Sequence, residues 1–305
     1  MSEPRIVATG LLFPEGPIAE ADGSVLLVEI ARGTLSRVAP DGEVTVVAEC
    51  GGGPNGAAYG PDGKIYICNN GGCFEFNDVM GLMVPGEVPS AWSGGSIQRV
   101  DPATGEVETV YTESSSGPLR APNDLVFDEF GGFWFTDHGL RFERASDRTG
   151  LHYATIDGSS CVERVHPLDA PNGIGLSPDG SRLYAAETHT GRVWAWNVTS
   201  PGEVDTSDLL GSGGGELLHG APGRQLFDSL AVDGEGWICV ATIGNGGITA
   251  ISPDGETVEH LPLSDLLVTN ICFVDDEPRA FATLSGTGQL VEIDWPRPGL
   301  KLHFP

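Results

Sequence analysis

The sequence predicts an all-β protein built as a six-bladed β-propeller. The first observation is a repeated unit of two short apolar strands joined by a turn, of which we count six copies. The second is spacing, because most copies begin roughly 40 to 55 residues apart and leave room for a third and often a fourth strand, as in a propeller blade. The third is that no long amphipathic helical period occurs.

The clearest copy of the repeat occupies residues 120–137. Asn123 opens a short apolar strand, a glycine-containing turn follows, and a second apolar strand ends at Asp137. Two antiparallel strands joined by a tight turn bring their outer ends back to the same edge. We therefore expect Asn123 and Asp137 to lie near each other on one face of the propeller.

The residue that opens each copy is the main candidate for function. The first strand of a blade lines the central channel, so its opening residue should sit at the channel mouth. The six opening residues all carry side-chain oxygens: Glu15, Asn55, Asn123, Asn172, Asp228 and Asn270. Asn and Asp are also favoured in turns, which would explain any one of them. Their recurrence in all six copies favours a shared site.

The segments outside the repeats complete a single domain covering residues 1–305. Residues 5–11 read as an isolated strand, which we expect to complete blade six from outside and so remove the free edges of the ring. The proline-rich residues 296–305 are expected to pack on the surface. The largest insertion, residues 70–96, contains aromatic and Met residues and leaves from the mouth face. It is either a lid over the mouth or a loop that packs against its own blade.

Composition limits the classes of partner. The 305-residue chain has 40% hydrophobic residues and a net charge of −27, which argues against nucleic acid or an anionic membrane as a partner. No segment reads as a signal peptide or a membrane span. The six cysteines form no CxxC or Cys/His zinc pattern, and several stand inside apolar strands. We expect reduced thiols in a cytoplasmic protein that is a monomer or a small homo-oligomer.

The opening residues predict a site for a divalent metal. Hard oxygen donors that converge on one point suit Ca²⁺ or Mg²⁺, and His is absent from all six positions, which weakens a zinc interpretation. The strongest candidate ligands are Glu15, Asn123, Asn172 and Asp228. Asn55 and Asn270 would be further ligands, water holders or turn caps. We expect Ca²⁺, with Mg²⁺, Mn²⁺, Zn²⁺ and Fe²⁺ as alternatives.

Several motifs resemble those of one family. They are Phe-Pro-Glu-Gly-Pro at 13–17, Arg120 with Asn-Asp at 123–124, Pro-Asn-Gly followed by Ser-Pro-Asp-Gly at 171–180, and Asp-Ser-Leu-Ala-Val-Asp at 228–233. In this order they resemble the senescence marker protein (regucalcin)/gluconolactonase/luciferin-regenerating family over nearly the whole chain. The resemblance implies a six-bladed propeller with a divalent cation at the channel mouth.

The resemblance also implies an activity and site roles. Members are typically lactonases, and some relatives hydrolyse phosphotriesters. Glu15, Asn172 and Asp228 match the direct metal ligands, with Asn123 binding directly or through water. Arg120 stands one position further from Asn123 than the substrate-binding arginine of sugar-lactonase members.

These observations predict a metal-dependent hydrolase that opens a small lactone. The cation would polarise the carbonyl and activate water. Asp228, with Asn123, would be a catalytic group, and His138 would move protons unless it is only a surface histidine. Arg120, Asn55 and Asp124 are the predicted substrate contacts, Asp124 being otherwise an orienting residue or a strand-end cap. The alternatives are an esterase or phosphotriesterase on the same cation, or a non-catalytic calcium-binding propeller.

Overall fold

The computed structural model describes residues 3–207 and 213–304. Within these ranges the chain forms 29 β-strands and no helix. A search of the same ranges accordingly finds no helix long and apolar enough to cross a membrane. Six antiparallel sheets of four or five strands, with two small hairpins, make up the molecule.

The sheets follow the chain in order. Blade one contains β2 (Pro14–Ala19), β3 (Val25–Glu29), β4 (Thr34–Val38) and β5 (Val44–Glu49). Blade two contains β6 (Pro54–Tyr59), β7 (Ile65–Asn69), β10 (Ser96–Val100) and β11 (Val107–Tyr111), and the hairpin β8 (Phe76–Val79) and β9 (Leu82–Pro85) is inserted between its second and third strands. A second hairpin, β12 (Glu113–Ser114) and β13 (Gly117–Pro118), precedes blade three.

The later blades repeat the pattern. Blade three contains β14 (Pro122–Phe127), β15 (Phe133–Asp137), β16 (Thr149–Ala154) and β17 (Cys161–Leu168). Blade four contains β18 (Pro171–Leu176), β19 (Arg182–Glu187), β20 (Arg192–Ser200), β21 (Glu203–Val204) and β22 (Glu216–Gly220). Blade five contains β23 (Leu226–Val232), β24 (Ile238–Ile243), β25 (Gly247–Ile251) and β26 (Val258–Pro262). Blade six contains β27 (Val268–Phe273), β28 (Arg279–Leu284), β29 (Gln289–Asp294) and β1 (Arg5–Thr9).

The first strands of the blades form a closed ring. β2, β6, β14, β18, β23 and β27 contact one another in that order, and β27 contacts β2 again. The prediction of an all-β six-bladed propeller is therefore confirmed. β1 pairs antiparallel with β29, so the first strand of the chain is the outermost strand of the last blade.

The core lies between neighbouring blades rather than at the axis. Each sheet packs its face against the next, and the largest fully buried side chains include Trp134, Trp196 and Tyr66. Tyr66 of blade two, for example, packs against Phe127 and Phe133 of blade three with ring centroids 5.2 and 5.5 Å apart. This inter-blade packing holds the inner strands at the positions from which the site is built.

The C-terminal segment packs on the surface, as predicted, and lies across the far end of the central channel. Arg297 and Trp295 both donate to Asp233 of blade five, at 2.5 and 3.1 Å. The chain then crosses to blade three, where the Phe304 ring meets the Phe127 ring edge-on at 5.8 Å. A cavity of about 170 Å³ remains inside the channel above this segment.

Candidate active site at the channel mouth

The opening residues take equivalent places in the ring because the blades share one register. In blades one to four the proline before the opening residue pairs with the last residue of the second strand: Pro14 with Glu29, Pro54 with Asn69, Pro122 with Asp137, and Pro171 with Glu187. The opening side chains therefore gather at one end of the channel. All are buried except Asp228, which keeps partial solvent contact.

Three carboxyl groups share this space. Burial raises the pKa of Glu15 to about 7, against hydrogen bonds from Asn270 and the Gly16 amide. Burial, followed by the nearby Glu15 carboxylate, raises the pKa of Asp124 to about 8. Burial, then Glu15 and then Asp124, raise the pKa of Asp228 well above its usual range. In the cluster, burial and the mutual repulsion of the carboxylates thus disfavour ionisation of all three groups.

Asp124 joins this cluster because of its place in the repeat. It follows the opening residue, a position that is glycine in blades one, two and four. A Cβ atom on Gly56 of blade two would lie 2.8 Å from Asp124 Oδ1, so the carboxylate fills space that Gly56 leaves free. Sequence reasoning proposed Asp124 only as a substrate contact, an orienting residue or a cap.

Three of the four mouth amides differ in how they are held. Asn172 donates to Thr188 Oγ1 at 3.0 Å and accepts a hydrogen bond from Ser229 at 3.4 Å. Asn270 donates to Glu15 Oε2 at 2.8 Å, and its oxygen accepts from the Ile271 amide. Asn123 is 5% exposed, yet its Oδ1 has no hydrogen-bond partner in the described parts of the chain. A buried amide oxygen without a donor fits a ligand that supplies positive charge.

Residues at the ends of the second strands support the opening residues. In blades one to four this residue accepts a hydrogen bond from a backbone amide just before the opening residue of its own blade: Glu29 from Leu12, Asn69 from Gly53, Asp137 from Arg120 and Ala121, and Glu187 from Asp169. Thr242 of blade five does not do so and instead bonds Thr249 and the Val240 carbonyl. Four of these five residues therefore fix the loop that leads into the mouth.

Two histidines lie close together near the end of blade three. The His138 and His189 rings meet at 71° with centroids 5.9 Å apart, and His138 Nδ1 lies 3.1 Å from the Gly139 carbonyl. Donation by Nδ1 to that carbonyl leaves Nε2 as a free acceptor. Burial lowers the pKa of His138, and burial followed by His138 lowers the pKa of His189 to about 4. Both rings are thus neutral near pH 7.

Arg120 is not grouped with the opening residues. Its Nε donates to Asp147 at 2.8 Å, and its guanidinium stacks on Trp92 at 4.7 Å from the ring centroid. It lines a separate cavity beside blade three that no opening residue lines. The Arg120 backbone amide donates to Asp137 and so helps to fix the loop that precedes Asn123.

The insertion spans four consecutive blades on the mouth side. Its hairpin packs on blade one, where the Phe76 and Phe13 rings are 5.0 Å apart, and the Met83 amide donates to the Gly286 carbonyl of blade six at 2.8 Å. At its other end Trp92 stacks on Arg120 before blade three. The side chains at the two ends of the insertion are therefore used largely in packing.

The donor set fits a hard divalent cation, although not through carboxylates alone. Among the described residues, no group of three or more His, Cys, Asp and Glu side chains is placed to hold a metal ion. Amide oxygens must therefore take part, and the unpartnered Oδ1 of Asn123 is available for this. A cation would also stabilise the ionised forms of Asp124 and Asp228, whose pKa values are raised by burial first and by the neighbouring Glu15 carboxylate second.

Sequence reasoning missed the hydroxyl groups that support these ligands. Thr136 accepts from the Asp124 amide at 3.1 Å and donates to the Asn172 carbonyl at 2.6 Å, which ties blades three and four together at the mouth. Thr188 holds the Asn172 amide group. In the sequence both are unremarkable strand or turn residues, and no local signal marks them.

Comparisons with known proteins bear on this site. A family model described as "SMP-30/Gluconolactonase/LRE-like region" matches residues 13–285. A gluconolactonase of Zymomonas mobilis is 26% identical over 92% of this chain and 78% of its own length. The lactonase drp35 of Staphylococcus saprophyticus is 26% identical over 81% of this chain and 68% of its own length. The solved structure of a calcium-binding regucalcin from Agrobacterium tumefaciens superposes with a TM-score of 0.74 at 18% identity, over 99% of this chain and all of that one.

Proposed function

The chain belongs to the SMP-30/gluconolactonase/LRE-like family, and from this premise we propose that it is a hydrolase that opens a small lactone with the help of a divalent cation. Two relatives are named for lactone hydrolysis. The observation that carries the proposal is the mouth itself, which holds three buried or half-buried carboxyl groups of raised pKa and a buried amide oxygen that has no partner within the described residues.

We assign the cation to Glu15, Asn172 and Asp228, with Asn123 as the fourth ligand. Asn270 orients Glu15, and Thr188 and Ser229 orient Asn172. Ca²⁺ is the proposed ion, since all the donors are hard oxygens and none is a histidine or cysteine. A cation held there would polarise a lactone carbonyl and lower the pKa of a water molecule.

The protein's own groups complete the reaction. Asp228, the one partly exposed carboxylate of the cluster, is the group that we propose orients the attacking water. His138 presents a free Nε2 in a neutral ring and is the proposed acceptor of the water proton, which it would return to the ring oxygen that leaves as an alcohol. Asn55 and Asp124 are the proposed contacts for the polar part of the substrate. Ring opening then leaves a hydroxy acid.

The insertion suggests the kind of lactone. Phe74, Phe76 and Met83 place partly exposed apolar surface on the mouth side. Such surface favours a lactone that carries an alkyl or aromatic group over a bare sugar lactone.

The test is a panel of sugar and alkyl lactones, followed by acid release, on protein stripped with a chelator and then given Ca²⁺, Mg²⁺, Mn²⁺, Zn²⁺ or Fe²⁺. We expect turnover to disappear on stripping and to return with Ca²⁺. Glu15→Ala and Asp228→Ala should each abolish both cation binding and turnover, while Glu43→Ala, an exposed change on blade one, should leave both intact.

The contrary outcomes are distinct. Metal content and turnover that survive Glu15→Ala and Asp228→Ala would place the active site elsewhere. Stoichiometric cation binding without turnover of any lactone, while simple esters or phosphotriesters are hydrolysed, would replace the lactonase proposal with the corresponding hydrolase. Cation binding without any hydrolysis would support the alternative that the protein is a non-catalytic calcium-binding propeller.

A further inference from the structure

A second cavity lies outside the propeller channel, beside blade three. It has a volume of about 320 Å³ and is bounded by the β12–β13 hairpin and by the outer strands β16 and β17. The hairpin is fixed there because the Ser115 amide donates to the Cys161 carbonyl and the Ser115 hydroxyl accepts from the Glu163 amide. We call this cavity the side pocket. Its volume falls at the lower end of the range for small-molecule sites.

His152 lines the side pocket, and the hydrogen-bonding capacity of its ring is not satisfied by the described residues. It is 3% exposed and stacks on Phe135 at 4.8 Å. Its Nε2 lies 3.8 Å from Glu163 Oε1, beyond hydrogen-bond range, and its Nδ1 has no partner among the residues that the structure describes. Nδ1 is fully enclosed by protein, so Nε2 is the ring atom through which a ligand in the pocket would bond His152.

The charges around the side pocket favour a neutral ligand. The lining contains the guanidinium groups of Arg120 and Arg148, the carboxyl groups of Asp137, Asp147 and Glu163, and the imidazoles of His152 and His166. Arg120 is already paired with Asp147, and Asp137 accepts backbone amides, so a charged ligand would meet Arg148 and Glu163, one of which repels it. Neither sign of charge is therefore accommodated well.

The hydrogen-bonding groups favour hydroxyl groups on that ligand. Arg148 donates through Nε to the Leu168 carbonyl, and its side chain lines the pocket with further N–H donors. Ser116, on the hairpin, lies beside Glu163 and shares a hydrogen bond with the Ser114 hydroxyl at 2.9 Å. Glu163 and the imidazole of His152 supply acceptors. Hydroxyl groups both donate and accept, so a polyol satisfies such a mixed lining.

We propose that the side pocket binds a neutral polyhydroxy compound of about monosaccharide size. His152 and Glu163 accept its hydroxyl protons, and Arg148 and Ser116 donate to its oxygens. This site is separate from the channel mouth and does not depend on the reaction proposed there.

The side pocket is also in contact with the insertion through Arg120. Arg120, which lines the side pocket, stacks on Trp92 at the end of the insertion. Occupancy of the pocket should therefore alter the environment of the Trp92 indole.

The experiment is saturation-transfer NMR and calorimetry with myo-inositol and glucose, and with gluconate and glucosamine as charged analogues. We expect saturable binding of at least one neutral compound and at least about tenfold weaker binding of its charged analogues. Glu163→Gln and Ser116→Ala should each weaken that binding about five- to tenfold. Both residues lie on the outer wall, so circular dichroism should show an intact fold.

The matched control is Glu15→Gln at the channel mouth, which should leave polyol binding unchanged. Absence of saturable binding up to high millimolar concentration would overturn the proposal. So would binding that survives both Glu163→Gln and Ser116→Ala but is lost in Glu15→Gln, since the ligand would then occupy the mouth. Equal affinity for gluconate and glucose would reject the neutral class.

Discussion

Asn123 and Asn172 hold equivalent places in neighbouring blades, yet their side chains have opposite hydrogen-bonding states. Asn172 is bonded to Thr188 and Ser229, whereas the Asn123 oxygen is unpartnered within the described residues. The two alanine variants should therefore separate stability from cation binding. Asn172→Ala should cost about 1–2 kcal/mol in the free energy of unfolding of the cation-free protein, and Asn123→Ala at most about 0.5 kcal/mol.

Both variants should nevertheless lose cation affinity. Removal of residues that only support a ligand weakens metal binding about 10- to 100-fold, so loss of a ligand should cost at least as much. Denaturant unfolding with chelator and calorimetric Ca²⁺ titration measure the two effects. Unchanged Ca²⁺ affinity in Asn123→Ala would remove this residue from the proposed ligand set.

The raised pKa values at the mouth predict an unusual pH dependence for the cation-free protein. Glu15 and Asp124 titrate at about 7 and about 8 when folded, above their ordinary values, so the folded state holds more protons than the unfolded state between about pH 4 and pH 8. Their contribution to stability is therefore full below about pH 4 and is lost as the pH rises through 7 to 8. A tenfold change in the proton affinity of one carboxyl group on folding corresponds to about 1.4 kcal/mol.

Glu15→Gln isolates this effect from other titrating groups. With chelator present, the difference in unfolding free energy between the native protein and Glu15→Gln should shift against the native protein on going from pH 5 to pH 8. Saturating Ca²⁺ should reverse the trend, because the ligands must be deprotonated to bind it. A difference that stays constant across this range would contradict the burial of an unneutralised carboxyl at position 15.

At the scale of residues, the sequence predicts which residues open the blades, but it does not predict which of their side chains are hydrogen-bonded. The repeat places an oxygen-bearing residue before each first strand, and simple strand geometry brings Asn123 and Asp137 to one edge. Hydroxyl groups from neighbouring blades decide which amide oxygens have a hydrogen-bond partner; Ser229, for example, donates to Asn172. Likewise Asp124 enters the cluster because Gly56 of another blade leaves room for it.

At the scale of the elements, the β8–β9 hairpin can be tested as a separate part. Phe76 and Pro85 pair across its base, so residues 77–84 can be replaced by a two-residue glycine turn without moving the flanking chain. The shortened protein should keep its Ca²⁺ affinity. KM for alkyl-substituted lactones should rise about fivefold, which corresponds to about 1 kcal/mol of lost apolar contact.

Met80→Ser is the matched control for the shortened hairpin. Met80 stands at the hairpin tip with 99% of its surface exposed, so its replacement should change neither KM nor Ca²⁺ affinity. Identical KM values for all lactones in the shortened protein would show that the hairpin only packs against Phe13 and blade six.

The strands of the blades follow from local pattern, and the insertion does not. The turn signals and apolar runs predict the second half of β14, at 125–127, and all but the last residue of β15, because these strands bury both faces between neighbouring blades; β14 itself begins earlier, at Pro122. Residues 70–96 offer only scattered aromatic residues among glycines and prolines. Their path is set by contacts far along the chain, such as Met83 to Gly286, which no local pattern reveals.

At the scale of the whole molecule, ring closure by β1 should be a major contribution to stability. β1 buries Ala8 and pairs along β29, so removal of residues 1–10 exposes the edge of blade six. The truncated protein should lose about 2–4 kcal/mol in free energy of unfolding and should tend to self-associate through the open edge. Denaturant unfolding and analytical ultracentrifugation measure these changes.

Arg5→Ala provides the comparison for the truncation. Arg5 forms an ion pair with Glu292 on the exposed side of the strand, where such a pair contributes at most about 0.5 kcal/mol. A truncated protein as stable as Arg5→Ala would mean that β1 is dispensable for closure.

The segment that crosses the far end of the channel also determines the orientation in which the protein can be immobilised. Leu300 and Phe304 dock on the ends of the inner strands opposite the opening residues, so Phe304, the last residue that the structure describes, lies on the face turned away from the mouth. A biotin or affinity tag joined after that segment would attach the protein to a sensor chip with its mouth toward the flowing sample. Immobilised in this orientation, every copy would present the same face to an analyte.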